Sequence, residues 1–496
     1  MKLSSAIAFG CALVAGSTAA HAFCGFYVSP SGEKMFADAT EVVLMRSGTR
    51  TVLAMQNDFK GPLEDFAMVV PVPVVLKEDD VRVLKKDIFE RVDAMGSPRL
   101  VQYWEQDPCP MEWGTIGIGY GTVGYGSGMG ASYGSIGIRS SSVKVEAKFD
   151  VAEYNIVILS ATEAAGLQKW LEENKYKIPK GAEPLLRPYI EAGSKFFVAK
   201  VDPKKVEIGE DGHASLSPLR FHYDSDEFSL PIRLGMANSS GKQDLIVNII
   251  SPDKRYEVSN YKNVFIPTNI DVKTTVKARF AEFYTALFDA TIAANPRAVV
   301  TEYSWTATPG AKCDPCPDNE MRANDVTILG GDVIDGDVEN KFVLTRLYAR
   351  YGAKDMKDDL RFKEAKAVTG GREEWTKKGL EYGATPSEEN FFQARYAIRH
   401  WWTGPIKCKN PQRGVWGGPT GDEVDDGTIS AQNLAFTPRG KLALATVIQR
   451  DIWEIGYKKQ AAPAKSKATV KTMGIGLGSL LLLVMGGVWI ARRRKR

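Results

Sequence analysis

Runs in which apolar and polar residues alternate recur along the chain and predict a fold rich in strands. Glu41 to Phe59 is predicted as a β-hairpin, because two β-rich runs flank a turn in which Gly48 can take a positive φ. The Phe66 to Leu76 strand contains Pro71 and Pro73, which lack the ladder donor, so we expect it at a sheet edge or broken there. The other predicted strands are Lys144 to Leu159, Phe196 to Val201, Leu219 to Tyr223, Ser229 to Met236, Leu245 to Ile250, Val299 to Trp305 and Lys341 to Arg350.

Apolar residues at helical spacing predict helices between these strands. The longest is predicted from Thr274 to Ala294, where Asn295-Pro296 ends the pattern. The others are predicted from Asp79 or Asp80 to Met95, from Ser160 to Asn174, from Pro184 to Ala192 and from Thr385 to Trp401. Together the elements predict an α+β fold, mostly antiparallel β with several packed helices.

The two ends of the sequence predict an exported, membrane-tethered protein. Met473 to Ala491 is an uncharged apolar run long enough for one C-terminal transmembrane helix. The cationic tail Arg492 to Arg496 favours a cytoplasmic C-terminus. Ala20-His21-Ala22 follows an apolar run and is typical of a signal-peptide cleavage site. We therefore expect a cell-membrane protein with its large N-terminal part in the periplasm, or one released when the C-terminal segment is cleaved as a sorting signal.

These patterns divide the chain into six predicted parts. They are a signal peptide (1–22), an extracytoplasmic β-rich domain (23–300) with a Gly-rich insertion (113–142), a second extracytoplasmic region with a C-x-x-C motif (301–457), a Lys/Ala/Pro linker (458–472), the transmembrane helix (473–491) and the basic tail (492–496). The Gly-rich insertion lacks the Lys of a phosphate-binding loop, so we interpret it as self-packed or mobile and dispensable for folding.

The charge of the exported part argues against nucleic acid as a partner. Of the 64 Lys and Arg, eleven lie in the signal, the linker and the tail, which leaves 53 against 60 Asp and Glu. A net charge of this sign offers no electrostatic footprint for a polyanion.

Five cysteines remain once the signal peptide is removed, and all five are disulfide candidates. They are Cys24, Cys109, Cys313, Cys316 and Cys408. Outside the cytoplasm thiols oxidise, so two disulfides and one odd thiol are expected. We predict a bond between Cys24 and Cys109, with Cys313, Cys316 and Cys408 competing for the second.

Several patterns suggest chemistry without defining a site. Cys313-Asp314-Pro315-Cys316 lies in a polar loop, which favours a structural disulfide over thiol exchange or a zinc site completed by Cys408 and a histidine. The acidic loops at 332–339 and 422–426 favour solvated turns over calcium sites, because neither has EF-hand spacing. No catalytic, cofactor-binding or metal-binding residue is therefore assigned.

Tryptophans are dense near the predicted last helix. Trp401 and Trp402 are adjacent, and Trp375 and Trp416 lie close by in sequence. Exposed indoles could stack on sugar rings or on a partner, but a core or inter-domain role is expected for most, with at least one of the adjacent pair packed inward.

Ordered sequence strings resemble a known family. The strings are DFAMVVPVPVVL (65–76), LSATEAAGLQKWLEENKYKIP (159–179), EPLLRPYIEAGSKFFVAKV (183–201), SLPIRLGMAN (229–238) and LTRLYARY (344–351). Over about Cys24 to Tyr351 they resemble an exported bacterial family, domain of unknown function 2330. The resemblance implies a signal peptide and often a membrane tether, but no activity.

The sequence thus predicts a non-enzymatic, membrane-tethered binding or scaffolding module of the bacterial cell envelope. Its expected partners are the membrane, through the C-terminal anchor, and an envelope protein or glycan. The alternative is an envelope enzyme, either a thiol oxidoreductase using Cys313 and Cys316 or a hydrolase with an unrecognised site.

Overall fold

The structure is a computed structural model that describes most of the chain between Gly25 and Lys459. The described ranges are 25–30, 36–60, 66–109, 143–178, 181–208, 214–238, 241–308, 314–316, 319–352, 354–376, 379–425 and 427–459. The predicted signal peptide, the Gly-rich insertion and all but the start of the predicted linker lie outside them, as do Cys24 and Cys313.

Strands dominate the described ranges. In chain order they are β1 (Phe26–Val28), β2 (Phe36–Ser47), β3 (Arg50–Lys60), β4 (Phe66–Val72), β5 (Val81–Val83), β6 (Arg99–Glu105), β7 (Val143–Val151), β8 (Tyr154–Ala161), β9 (Lys195–Val201), β10 (Glu207–Ile208), β11 (Ala214–Ser215), β12 (Leu219–Asp224), β13 (Ser229–Leu230), β14 (Gln243–Ser251), β15 (Arg255–Val258), β16 (Lys262–Phe265), β17 (Ile270–Val272), β18 (Ala298–Ala307), β19 (Phe342–Tyr351), β20 (Leu360–Ala365), β21 (Val368–Gly370), β22 (Trp375–Thr376), β23 (Gly379–Leu380), β24 (Thr385–Pro386), β25 (Phe391–Gln393), β26 (Arg395–His400), β27 (Trp416–Gly417) and β28 (Ile429–Ser430).

Five helices accompany these strands in the described part of the chain. They are α1 (Lys86–Gly96), α2 (Ala164–Glu173), α3 (Glu183–Glu191), α4 (Phe280–Ala294) and α5 (Ala323–Val326). The 3₁₀ turns are Glu78–Asp80, Pro203–Lys205, Leu234–Asn238, Thr274–Arg279, Leu434–Phe436, Leu444–Thr446 and Trp453–Ile455, and a π turn spans Thr327–Gly331.

The predicted fold class, α+β with a C-terminal transmembrane helix, is wrong. The fold is mostly β, with 39% of the described residues in strands and 22% helical. No helix within the described residues is long and apolar enough to cross a bilayer, and the segment predicted to do so, Met473 to Ala491, lies outside them. Helix content was overestimated because helical spacing also occurs by chance in strands that are buried on both faces.

The largest sheet collects strands from the whole described chain. Its order is β10-β11-β3-β2-β14-β19-β18-β25-β21-β24. Three further strands lie off this path: β12 pairs with β3, β5 pairs with β12, and β16 pairs with β18. The predicted hairpin is confirmed as β2 and β3, and the predicted strands at Leu245 to Ile250, Val299 to Trp305 and Lys341 to Arg350 are confirmed as β14, β18 and β19. The predicted boundary between residues 300 and 301 falls inside β18, and one compact unit runs to Lys458.

Two sheets pack face to face between layers of helix. Val42 and Leu44 of β2 point into a core shared with the sheet β1-β4-β9-β8-β7, whereas Val43 and Met45 point to the opposite face, against α1. The five-stranded sheet carries α2 and α3 on its own outer face. Alternate residues of each central strand therefore enter different cores, as the two-residue period of a strand requires.

Pro71 lies inside a central strand and not at the sheet edge. β4 pairs with β9 along its whole length, but β1 pairs only with Ala67, Met68 and Val69. Pro71 is therefore beyond the end of β1, where no neighbour needs its missing N–H. The strand ends at Val72, before Pro73, so the predicted break is confirmed. The predicted edge position applies only to the end of β4, where β1 no longer pairs with it.

The helix predicted from Thr385 to Trp401 is wrong. Its residues form three strands, β24, β25 and β26, and β26 pairs in parallel with β6 on one side and with β17 on the other. The helix predicted from Asp79 or Asp80 begins only at Lys86, and the predicted strand Ser229 to Met236 stops at Leu230. Two of these segments contain residues that pair with distant strands, and the third does not continue its pairing beyond Leu230. Tertiary contacts therefore override the local pattern in each case.

A buried ionic network joins α1 to the middle of the large sheet. Arg346 on β19 has no exposed side-chain surface, and it donates to Asp93 Oδ1 at 2.6 Å and to Glu302 Oε2 at 2.9 Å. Glu302 lies where the register between β18 and β19 shifts, so a bulge directs its carboxylate at Arg346. Asn248 Nδ2 donates to Glu41 Oε1 at 2.6 Å beside this group.

Candidate functional site

The Arg233 cleft, with a volume of about 530 Å³, opens between the two packed sheets and α3. Its walls are Pro71, Val72, Pro73, Pro188, Tyr189, Ala192, Ser194, Tyr223, Ser225, Glu227, Ser229, Pro231, Arg233, Asp358, Asp359 and Arg361. Asp359 accepts from the Tyr189 hydroxyl at 2.7 Å, from Ile232 N at 2.9 Å and from Arg233 Nη2 at 3.0 Å. These bonds tie α3 to the start of β20, and Asp359 is engaged in them. Arg233 Nε has no hydrogen-bond partner among the described residues.

A second candidate lies on the parallel sheet built from β17, β26 and β6. We call Trp375, Trp401, Trp416 and Arg399 the aromatic surface. Trp401 is 56% exposed and Trp375 43%. The Arg399 guanidinium lies over the Trp375 ring at 5.1 Å and over the Trp416 ring at 4.7 Å, and its Nε donates to Asp271 at 2.7 Å.

The rings of the aromatic surface touch one another in an edge-to-face arrangement. Trp401 and Trp416 have centroids 4.8 Å apart at an interplanar angle of 76°, and Tyr103 on β6 meets Trp375 at 5.9 Å. Because Asp271 neutralises Arg399, the surface presents ring faces and little net charge. Exposed aromatic side chains that are held against further rings are typical of a binding site.

Glu105, at the end of β6, positions the segment that carries Trp401 and Trp416. Its side chain is fully buried and accepts from Trp402 N at 3.1 Å, from Gly414 N at 2.7 Å and from Arg413 Nη2 at 2.8 Å. The Cys109–Cys408 disulfide fixes the same segment, with the two Cα atoms 5.5 Å apart. Charge-assisted bonds to a buried carboxylate are strong, so the tryptophans stand on a rigid support.

The Arg395 pocket, of about 160 Å³, adjoins the aromatic surface. Its walls are Val101, Gln102, Tyr103, Pro315, Glu373, Arg395, Asp425, Gly427 and Thr428. Arg395 is 1% exposed and donates to Asn269 Oδ1 at 3.2 Å, to the Tyr103 hydroxyl and to Glu373 Oε2 at 3.3 Å. Burial is the largest effect on the pKa of Tyr103 and raises it. The nearby Arg395 cation lowers this pKa and the Glu373 carboxylate raises it, and the net result is a raised pKa, so the hydroxyl stays protonated.

Residues 18–363 match the pattern of a bacterial family described as "Uncharacterized protein conserved in bacteria (DUF2330)". The chain belongs to the DUF2330 family. This confirms the resemblance, and no curated protein or solved structure matches the chain. The walls of the Arg233 cleft fall within the matched range, whereas Trp375, Arg399, Trp401 and Trp416 lie after it. The aromatic surface is therefore a feature of this chain outside its DUF2330 match.

The predicted bond between Cys24 and Cys109 is wrong, because Cys109 is bonded to Cys408. Cys316 is also disulfide-bonded. Cys109 and Cys408 are 299 positions apart in this DUF2330 protein, and no local pattern in a sequence relates cysteines at that separation.

The C-x-x-C loop has a role that its motif does not suggest. Asp314 Oδ2 accepts from Glu373 N at 2.6 Å, its backbone carbonyl accepts from Gln393 Nε2, and Pro315 forms a wall of the Arg395 pocket. Cys316 follows directly in this loop. The described part of the motif therefore supports the pocket wall next to Arg395.

Some carboxylates of the two acidic loops are paired within the protein. Asp332 pairs with Arg220 at 2.5 Å and with Arg82 at 2.8 Å, and Glu423 accepts the indole N–H of Trp104. Among the described residues, no three His, Cys, Asp or Glu side chains lie close enough together to hold a metal ion.

The sequence singled out the tryptophans but missed the residues that support them. Arg395, Glu105 and Tyr103 were not predicted, because Arg395 meets Asn269 and Tyr103 across separations of 126 and 292 residues. Trp402 is half-buried and packs on Gly404, as expected for one of the adjacent pair. Trp401 and Trp375, for which a core role was expected, are exposed instead.

Proposed function

We propose that the protein is a non-enzymatic binding module of the bacterial cell envelope that holds an envelope glycan on its aromatic surface. The observation that carries the proposal is the pair of exposed indoles, Trp375 and Trp401, fixed beside a polar pocket. Indole faces with polar groups next to them suit sugar rings, which have an apolar face and a hydroxylated edge.

A glycan is favoured over a protein partner because charged groups border the exposed indoles. A stable protein interface covers about 800 Å² on each side around a core depleted of charge. Here the indoles are bordered by the carboxylates of Glu373 and Asp425 and by Arg413, which is 42% exposed. This polar border suits hydroxyl groups better than the apolar core of a protein partner.

The proposed location is outside the cytoplasm, at the cell membrane. Its support is the oxidised state of Cys109, Cys408 and Cys316, because disulfides persist in the periplasm and are rare in the cytosol. Fractionation of cells expressing the full chain checks this part of the proposal. Recovery of the folded protein with reduced thiols from the cytosol would contradict it.

Binding is tested by co-sedimentation of the purified protein with insoluble peptidoglycan sacculi. We expect the wild type in the pellet. The Trp375→Ala and Trp401→Ala double variant should lose at least about tenfold in affinity, which corresponds to roughly 1.4 kcal/mol for the lost stacking.

Trp453→Ala is the matched control for this experiment. Trp453 is the most exposed tryptophan of the described chain, at 74%, and lies in a turn that packs on α4. It belongs neither to the aromatic surface nor to the walls of the Arg395 pocket. Its removal should leave sedimentation unchanged. A wild-type protein that stays in the supernatant, or an equal loss in Trp453→Ala, would sink the glycan proposal.

A further inference from the structure

The Arg395 pocket and the aromatic surface form one continuous site. Tyr103 connects the two, since it lines the pocket and its ring meets the Trp375 ring at 5.9 Å. Glu373, two residues before Trp375, forms another wall. The edge of a ligand that lies on the Trp375 ring can therefore enter the pocket.

The size of the pocket limits what enters it. Its volume of about 160 Å³ is well below the range of roughly 300 to 1,000 Å³ in which sites enclose whole drug-sized ligands. The pocket can take one polar edge of a ring while the rest of the ligand remains on the aromatic surface.

The charge of Arg395 is not available to an anionic ligand. Its Nη1 is bonded to Asn269, and its Nη2 is bonded to Tyr103 and to Glu373. A carboxylate or phosphate recognised by arginine needs two free parallel N–H donors, and every such pair on Arg395 includes Nη2, which is already bonded. Its Nε has no hydrogen-bond partner among the described residues, but it offers only a single N–H. The guanidinium acts as a fixed wall that holds Tyr103 and Glu373 in place.

The remaining charged walls are carboxylates. The Glu373 side chain is 51% exposed, and Asp425, which accepts from Gly427 N at 3.0 Å, is exposed too. Asp314 lies 3.8 Å from Arg395 and adds a third negative group behind the wall. An anionic sugar would meet like charge here, whereas hydroxyl groups would find acceptors in the carboxylates. Gln102 Nε2 donates to Asp425 Oδ1 at 3.5 Å within the pocket wall.

We infer that the Arg395 pocket is a specificity subsite that accepts the hydroxylated edge of an uncharged sugar and rejects anionic sugars. This inference rests on the proposed function, because it assigns the glycan class of the same site. Glu373 and Asp425 are its specificity-determining residues.

The test compares two soluble probes, the uncharged tetramer of N-acetylglucosamine and a tetramer of galacturonic acid, by calorimetric titration at low salt. Wild type should bind the uncharged tetramer at least about tenfold more tightly than the anionic one. In the Glu373→Gln and Asp425→Asn double variant this preference should shrink at least about tenfold. The change should come mainly from tighter binding of the anionic tetramer, because the like charge that opposes it is removed. Affinity for the uncharged tetramer should fall, because a neutral amide accepts a weaker hydrogen bond than a carboxylate.

Glu388→Gln with Glu389→Gln serves as the control, since these exposed carboxylates line a different cavity, and it should keep the wild-type preference. If the uncharged tetramer binds through Trp375 but the Glu373→Gln and Asp425→Asn variant keeps the wild-type preference, the subsite is overturned and glycan binding stands. If wild type prefers the anionic tetramer, the subsite is likewise overturned. If neither tetramer binds, both the subsite and the glycan proposal fail.

Discussion

Arg346 is the residue on which the polar interior of the large sheet depends. Burial lowers its pKa, but the carboxylates of Asp93, Glu302 and Glu41 outweigh burial and raise it, so the guanidinium stays charged. Burial raises the pKa of Glu302, and Arg346 opposes that rise. Such a group stabilises a fold only while every partner is present, because an unpaired buried charge is costly.

Arg346→Met should lower the free energy of unfolding by about 3 to 5 kcal/mol, since it leaves buried carboxylates without their cation. Urea denaturation followed by circular dichroism measures the loss. Arg187→Met is the control, because Arg187 forms an exposed pair with Glu183 one turn away on α3 and should not move the midpoint. An Arg346→Met midpoint equal to that of wild type would mean that the network does not stabilise the fold.

Glu41 makes stability depend on pH. Burial raises its pKa well above the ordinary value, and the charge of Asp93 raises it further. The folded state therefore binds a proton more tightly than the unfolded state, so the contribution of Glu41 is greatest at acid pH and is lost as pH rises through the folded pKa. The free energy of unfolding should be higher at pH 5.5 than at pH 8.5.

Glu41→Gln should flatten this dependence without abolishing it, because burial also raises the pKa of Glu302 and of Asp244. Paired urea titrations at the two pH values measure the slope for both proteins. A steeper fall with pH in Glu41→Gln than in wild type would contradict this assignment.

At the scale of elements, the strand β26 links the core to the candidate site. Its first residue, Arg395, forms the pocket wall, and its fifth, Arg399, lies between two tryptophans. Thr268 anchors the strand start, since its hydroxyl donates to Gln393 O at 2.6 Å and accepts from Arg395 N at 3.0 Å. Gly371, which follows β21, packs directly on this junction.

Gly371→Ala should lower the free energy of unfolding by about 1 to 3 kcal/mol and weaken glycan binding. Gly371 has φ +73°, and an added Cβ would overlap Gln393 O and Thr268 Oγ1, which cannot both move without shifting β26. Gly418→Ala is the control, because a Cβ there meets nothing within 4 Å and no positive φ is required. If the two variants were equally stable, β21 would have moved to accommodate the added Cβ without displacing β26, and the prediction would be wrong.

At the scale of the whole molecule, the Cys109–Cys408 bond ties the end of β6 to the segment that follows β26. The two cysteines are 299 positions apart. Backbone bonds run alongside it, from Gln412 N to Pro108 O and from Gln106 N to Val415 O, both at 2.8 Å. The tryptophans thus depend on a contact between the two halves of the chain.

Replacing both Cys109 and Cys408 by serine should destabilise the domain by about 3 to 5 kcal/mol, since a long closed loop is released in the unfolded chain. Differential scanning calorimetry measures the change, and the same variant should bind sacculi more weakly. Non-reducing peptide mapping of wild type should recover a linked Cys109 and Cys408 peptide. A peptide that links Cys109 to Cys24, or a free Cys109 thiol, would contradict the structure.

The candidate site was predictable only in part. The tryptophans were visible as a dense cluster, but their exposure was not, because it depends on Glu105 and on a disulfide partner far along the chain. The helix expected from Thr385 to Trp401 shows the same limit. Its capping pattern is local, whereas β26 is stabilised by β6, almost 300 residues away, and by β17.

The sequence alone determined the elements whose partners are near neighbours, such as the β2–β3 hairpin and the helix α4, and it determined the family through strings of contiguous residues. A hairpin register and a helical face follow from periods of a few residues, so a short stretch contains the information. Only the tertiary structure decided which distant strands pair, where Arg346 and Arg395 find their carboxylates, and that Trp375 and Trp401 meet solvent. Those outcomes depend on burial and on contacts between residues hundreds of positions apart, which no local period encodes.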